Sequence, residues 1–208
     1  MLDIRNAVVT YGAVAAVNDV TVSVDRGEFV VITGSNGSGK SSLIRAILGL
    51  VGLTSGTIRV ADDVATSRRD WRARRALVAY VPQRTSPGAF PLLVEELLAS
   101  SDALADATAA ADRLGIGELL HRPVTTLSGG QLQRAYLARA VGSIGGGAQM
   151  IVADEPTSAL DFSGQDDVGA LLQELSVTRV VVSHDNGVVE RADRVLEMAG
   201  GTLRERNA

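Results

Sequence analysis

A continuous apolar run, Phe29-Val30-Val31-Ile32-Thr33, passes directly into Gly34-Ser35-Asn36-Gly37-Ser38-Gly39-Lys40-Ser41 and then into a segment with helical apolar spacing, Leu43, Ile44, Ile47 and Leu48. A strand without alternation is one buried on both faces, which requires a parallel sheet with helices packed against it. The eight residues that follow match G-x-x-x-x-G-K-[ST]. In such a loop successive backbone N–H groups and a helix N-terminus converge on an anion, and glycines allow the close approach. Strand, glycine loop and helix in this order point to an α/β fold that binds phosphate. Lys40 is the only lysine in the chain, every other basic residue apart from the two histidines being arginine. A compact ammonium on a flexible stem reaches between phosphate oxygens in a way a planar guanidinium does not. The contrast marks position 40 as one that needs an ammonium. The motif implies a nucleoside triphosphate held by Gly34, Ser35, Asn36, Gly37, Ser38, Gly39, Lys40, Ser41 and Ser42, with Lys40 on the β- and γ-phosphates and Ser41 ligating Mg²⁺.

Other segments fit around this centre. Leu2–Tyr11 and the strictly alternating Val20–Val24 read as strands, the second half-exposed, and Leu77–Val81 as a short strand ended by Pro82. Residues 92–121 read as Ala- and Leu-rich helices inserted between halves of the core. Met150–Ala153 and Val180–Ser183 read as further buried parallel strands. Gly145–Gly147 reads as a loop, and Arg68, Arg69, Arg72, Arg74 and Arg75 around Trp71 as a solvated surface segment between strands. His121, near a helix end, needs no role beyond the helix dipole. At 208 residues the chain supports one good core with a smaller subdomain. Without cysteine there is no disulfide framework, thiolate metal site or cysteine nucleophile. A net charge of -4 argues against general nucleic-acid affinity. No signal-peptide layout opens the chain, and no apolar run approaches the roughly 18 residues of a membrane span.

Two more segments carry chemistry. Met150–Ala153 ends in Asp154-Glu155, at the sheet edge where ligands of such folds collect. There Asp154 can hold Mg²⁺ and Glu155 can polarise an attacking water. Leu127-Ser128-Gly129-Gly130-Gln131 precedes the helical pattern Leu132–Val141 and offers a second anion-binding helix N-terminus. One triphosphate needs only one such cradle. With LSGGQ present, the chain resembles the ATP-binding-cassette family from end to end.

The resemblance implies a P-loop (RecA-like) α/β core with an N-terminal antiparallel β subdomain and an inserted helical subdomain at about 84–142, the whole of 1–208 forming one nucleotide-binding domain. It implies that Tyr11 stacks on adenine and that Gln83, after Tyr80-Val81-Pro82, touches Mg²⁺ and the water and senses a membrane partner. It implies that the Ser158–Asp161 loop crosses to an opposite subunit and that His184 contacts the γ-phosphate. In that scheme Glu155, His184 and Gln83 are catalytic, and Ser41, Gln83 and Asp154 face the metal. Ser128, Gly129, Gly130, Gln131 and Asp161 complete a second subunit's ATP site in a head-to-tail dimer. Expected partners are an integral membrane permease and an extracytoplasmic solute-binding protein, with the ATPase peripheral on the cytoplasmic face and no nucleic acid bound. His121–Thr126 replaces the glutamate-rich loop of many exporters, and the chain ends soon after His184; both favour an importer. Ala79–Arg84 with Phe90-Pro91 resembles the branch that imports metal cations. Ala153 departs from the family's bulkier aliphatic residue.

Overall fold

The computed structural model describes residues 1–61, 63–65, 68–83 and 91–206. The expected α/β architecture is present as two sheets with helices. Strand β1 (Leu2–Tyr11) pairs antiparallel with β2 (Val14–Val24), and β3 (Phe29–Thr33) leads through the glycine loop to α1 (Lys40–Ile47). Then come β4 (Ser55–Val60), β5 (Asp63–Val64), α2 (Arg68–Leu77) and β6 (Val78–Val81). Helices α3 (Val94–Ala99) and α4 (Leu104–Arg113) and two 3₁₀ turns precede the long α5 (Gly129–Gly145). The remainder is β7 (Met150–Asp154), α6 (Phe162–Glu174), β8 (Thr178–Val182), α7 (Asn186–Val189), β9 (Arg194–Ala199) and β10 (Thr202–Glu205).

The four-stranded antiparallel sheet runs β2-β1-β4-β5, and the six-stranded sheet runs β10-β9-β3-β8-β7-β6, parallel except for the β10 edge. Because side chains alternate across a strand, β3 divides the interior in two. Phe29 and Val31 join the core formed with α3, α4, α5 and α6. Val30 and Ile32 face the core shared with α1 and the antiparallel sheet. The phosphate loop therefore leaves a strand clamped on both sides.

Helix α5 packs through Ala135, Ala138 and Ala140, and α4 through Ala107, Ala110 and Ala111, all buried. Small side chains let the two axes approach closely. The same closeness accounts for the first two glycines of the triplet, while Gly147 sits in open space at φ 107°. Gly145 is the last residue of α5, and a Cβ there would collide with Asp106, while Gly146 caps the helix against the backbone of Ser101.

Several expectations need correction. The Arg-rich segment is the helix α2, and Arg74 is buried on it, donating from Nη2 to the Ile58 carbonyl at 2.7 Å and lying over the Trp71 ring. Strand β2 starts six residues earlier than the alternation in Val20–Val24 suggested. Asn6 and Asp19 adopt left-handed conformations and share a side-chain hydrogen bond, which interrupts the alternation. His121 is exposed, with Nδ1 3.3 Å from Glu95, so it faces a carboxylate as well as a helix end. The β9–β10 hairpin, turned at Gly200-Gly201, was not anticipated at all. Ala153 lies fully buried without disturbing β7. Arg84, Phe90 and the start of the proposed helical insertion lie outside the described residues.

Candidate functional site

Gly39 caps α1 at φ 112°, and a Cβ there would strike the Ala16 carbonyl and the Met198 side chain. Only glycine satisfies both the backbone angle and the space. The helix N-terminus thus opens toward a cavity of about 190 Å³ lined by Ala16, Asn36–Ser42, Gln83, Asp154, Glu155 and Val182. Lys40 is buried, and its Nζ donates to the carbonyls of Gly34 and Ser35. Those two residues shape the loop through their carbonyls and do not line the cavity.

Asp154 and Glu155 enter from the end of β7. Burial raises the Asp154 pKa above its ordinary value, opposed by a hydrogen bond from Ser41 and by the charges of Lys40 and Arg45. Burial likewise raises Glu155, opposed by the charge of His184 and by its backbone N–H, while Asp154 adds to the rise and Lys40 opposes it. Glu155 sits at φ 50° and its N–H donates to the Val182 carbonyl at 2.8 Å, so the ladder holds a non-glycine residue in the left-handed region. Strain of this kind is retained where surrounding structure fixes it, commonly at functional sites. The Glu155 Oε1 lies 3.4 Å from His184 Nε2. His184 does not line the phosphate cavity. It lines a neighbouring one of about 790 Å³, where Glu155 is common to both.

Ser41, Gln83 and Asp154, the residues expected to face Mg²⁺, all line the phosphate cavity and offer oxygen donors. Magnesium keeps waters and phosphate oxygens and needs only one or two protein ligands. The absence of a His/Asp/Glu triad among the described residues is therefore compatible with it. Tyr11 ends β1 opposite Val14, about half exposed, outside the cavity lining but on the hairpin that supplies Ala16.

The second cradle stands apart from the first. Ser128 is the N-cap of α5: its Oγ accepts from the Gln131 N–H at 3.3 Å, and the Gln131 Oε1 accepts from the Ser128 N–H at 3.0 Å. None of Ser128, Gly129, Gly130 or Gln131 lines the phosphate cavity. Gly129 and Gly130 instead border Ala159 and Leu160. Asp161 caps α6, accepting from the Gly164 N–H at 3.1 Å, and lies 3.9 Å from Arg134 on α5.

Residues not singled out from sequence tie these pieces together. Gln133, buried on α5, donates to the Pro82 carbonyl just before Gln83, and Arg139 donates to the Tyr80 carbonyl at 2.9 Å. Arg134 donates to the Leu114 carbonyl at 2.8 Å. Their signal was long polar side chains within an otherwise Ala- and Leu-rich helix.

Residues 17–158 match the family model described as ABC transporter. The chain is 41% identical over 211 residues to the macrolide export ATP-binding/permease protein MacB of Bradyrhizobium diazoefficiens, an alignment covering 91% of this chain and 31% of that protein. It is 34% identical over 215 residues to the zinc import ATP-binding protein ZnuC of Ruegeria sp., covering 96% of this chain and 78% of that one. The solved dimeric structure of MJ0796, a bacterial ABC transporter cassette, superimposes with a TM-score of 0.89 at 26% identity, covering 100% of this chain and 98% of that chain.

Proposed function

The chain belongs to the ABC transporter family as an ATP-binding ATPase, and from that premise we propose that it drives import of a solute, a metal cation or its chelate, through a separate membrane permease. Two copies act head to tail. The observation that carries this reading is the placement of Ser128–Gln131 outside the cavity of their own phosphate loop: a second anion cradle is explained if it covers the partner's nucleotide. A similar solved cassette described as dimeric supports the pairing of two copies.

In this scheme the loop Gly34–Ser42 holds the triphosphate, with Lys40 between its β- and γ-phosphates and Tyr11 against adenine. Ser41, Asp154 and Gln83 hold Mg²⁺, which when bound offsets phosphate charge. Glu155 orients and deprotonates the attacking water, His184 contacts the γ-phosphate, and Asp161 faces the opposite subunit. Loss of the γ-phosphate removes the bridging charge and opens the dimer.

A cleft of about 280 Å³ suits the permease contact. It is lined by Leu48, Leu50, Arg75, Tyr80, Asp102 and Arg139 among others, and Leu50 is 63% exposed. Arg139 joins this cleft to the backbone of β6 just before Gln83, a path by which docking reaches the phosphate cavity. No described helix is long and apolar enough to cross a membrane. In this reading the chain works at the cytoplasmic face of a permease, with an extracytoplasmic solute-binding protein completing the complex and no nucleic acid involved. The zinc-import relative favours the metal reading. The macrolide-export relative, of which the chain spans 31%, favours export as the second reading.

Glu155→Gln tests the ATPase assignment: ATP binding stays, turnover disappears and the ATP-bound dimer accumulates. Turnover at the unaltered rate would overturn it. Purification from membranes tests the coupling. A copurifying polytopic protein supports transport, and nucleic acid or ribosomes in its place would overturn it. Loss of zinc uptake in cells lacking the chain supports metal import, whereas loss of drug efflux supports the second reading.

A further inference from the structure

We propose that Phe162 is an apolar anchor through which two copies of this chain close on each other, an inference that rests on the dimeric reading above and names a contact in it. Phe162 is 87% exposed, the most exposed large apolar side chain among the described residues. Burying such a ring is favourable, and Phe162 buries almost nothing within its own chain. The other exposed large apolar residues, Tyr11, Val14, Leu50, Val64 and Leu104, do not line the cavity that holds Glu155 and His184.

Its position decides the occupant. Phe162 is the first residue of α6, directly after the cap Asp161, and it lines the cavity that holds Glu155, Ser158 and His184. The rest of that lining is polar or glycine, so the ring is not part of an apolar ligand pocket. On its other side it continues the surface of the second anion cradle. Gly130 touches Ala159 and Leu160, three and two residues before Phe162, and Arg134 reaches both Asp161 and Gly164 across the same seam. A surface that covers the partner's nucleotide through Ser128–Gln131 therefore carries Phe162 at its edge, held by a capped helix and not by a loose loop. The ring meets the second copy whenever the cradle does, and its burial also keeps bulk water from the Glu155–His184 pair.

The test uses the full chain carrying Glu155→Gln, with ATP and Mg²⁺, and measures the dimer dissociation constant by sedimentation equilibrium. Adding Phe162→Ala weakens the dimer by about 100- to 10,000-fold, the scale of two buried phenyl rings, one from each copy, while Phe162→Leu restores most of the affinity. The ATP affinity of the monomer and the urea midpoint stay unchanged, because the ring is exposed in the single chain. An unchanged dimer constant for Phe162→Ala overturns the anchor and leaves the dimeric reading in place. A Glu155→Gln chain that stays monomeric at saturating ATP overturns the dimeric reading and the anchor with it. A loss of urea stability in Phe162→Ala also overturns the proposal, since it would place the ring in the fold.

Discussion

Replacing Arg179 by alanine should cost the fold about 4 kcal/mol, summed from about 1–1.5 kcal/mol for each of three charge-assisted hydrogen bonds and about 0.5–1 kcal/mol for the ring contact. Arg179 lies on β8, only 7% exposed. Its Nη1 donates to the carbonyls of Gln173 at 2.9 Å and Leu175 at 2.6 Å, with a longer contact to Leu172, and its Nη2 donates to Gly27 at 2.5 Å. The guanidinium also lies 5.0 Å from the centre of the Phe29 ring. Burial lowers its pKa, with the charge of Asp193 opposing. The carbonyls at a helix C-terminus carry partial negative charge and lack intrahelical donors, so one buried cation fixes the end of α6 to the turn before β3. The other end of α6 carries Asp161 and Phe162. Unfolding in urea, followed by circular dichroism at several wavelengths, gives the free-energy loss. A midpoint fall of about 8–16 °C accompanies it in calorimetry for a chain of this size. Arg179→Lys, with one compact donor group, recovers about half of the loss. A cost below about 1 kcal/mol for Arg179→Ala would refute the clamp, because that is the scale of a single solvent-compensated bond.

Two further outcomes follow from the phosphate site. Lys40→Arg should fold normally and lose most ATP affinity in calorimetric titration, since a planar fork cannot take the place of the ammonium among the loop carbonyls; wild-type affinity would remove the argument from the single lysine. The raised Glu155 pKa places the acid limb of turnover above the ordinary 4.5, because the base must be ionised and its ionisation is lost as pH falls through the folded value. Stability runs the opposite way: a carboxylate with a raised folded pKa stabilises the fold while protonated, and that contribution is lost as pH rises through the folded value. Glu155→Gln should therefore unfold at a higher temperature than the unaltered chain at neutral pH, with the gap closing in acid. A variant less stable at neutral pH contradicts this.

Much of this was legible in the sequence because the chemistry constrains residue type locally. A left-handed helix cap packed against Ala16 and Met198 admits only glycine at position 39, and a doubly covered strand must read like Phe29–Thr33. The first half of β2 was not legible. Its register is broken where Asn6 and Asp19 turn left-handed, and pattern arguments assume an unbroken pleat. Helix α2 looked solvated because five arginines crowd it; that one of them is buried depends on a carbonyl of β4 and a tryptophan ring, which no local spacing encodes. The left-handed Glu155 and the clamp by Arg179 depend on neighbouring strands remote in sequence. The catalytic candidates were visible one by one, while their division between two cavities and two faces required the fold.

The central claim is that each ATP site is shared between two chains, and mixing two inactive variants tests it most directly. Lys40→Ala spoils the phosphate loop and Ser128→Arg spoils the second cradle, so each homodimer lacks any intact site. In a mixed dimer one site receives an unaltered loop from one chain and an unaltered cradle from the other. ATP hydrolysis measured on an equimolar mixture should rise above either protein alone, toward about a quarter of the unaltered rate, since about half of randomly paired dimers are mixed and each holds one good site of two. A mixture no more active than its two components would contradict the shared site.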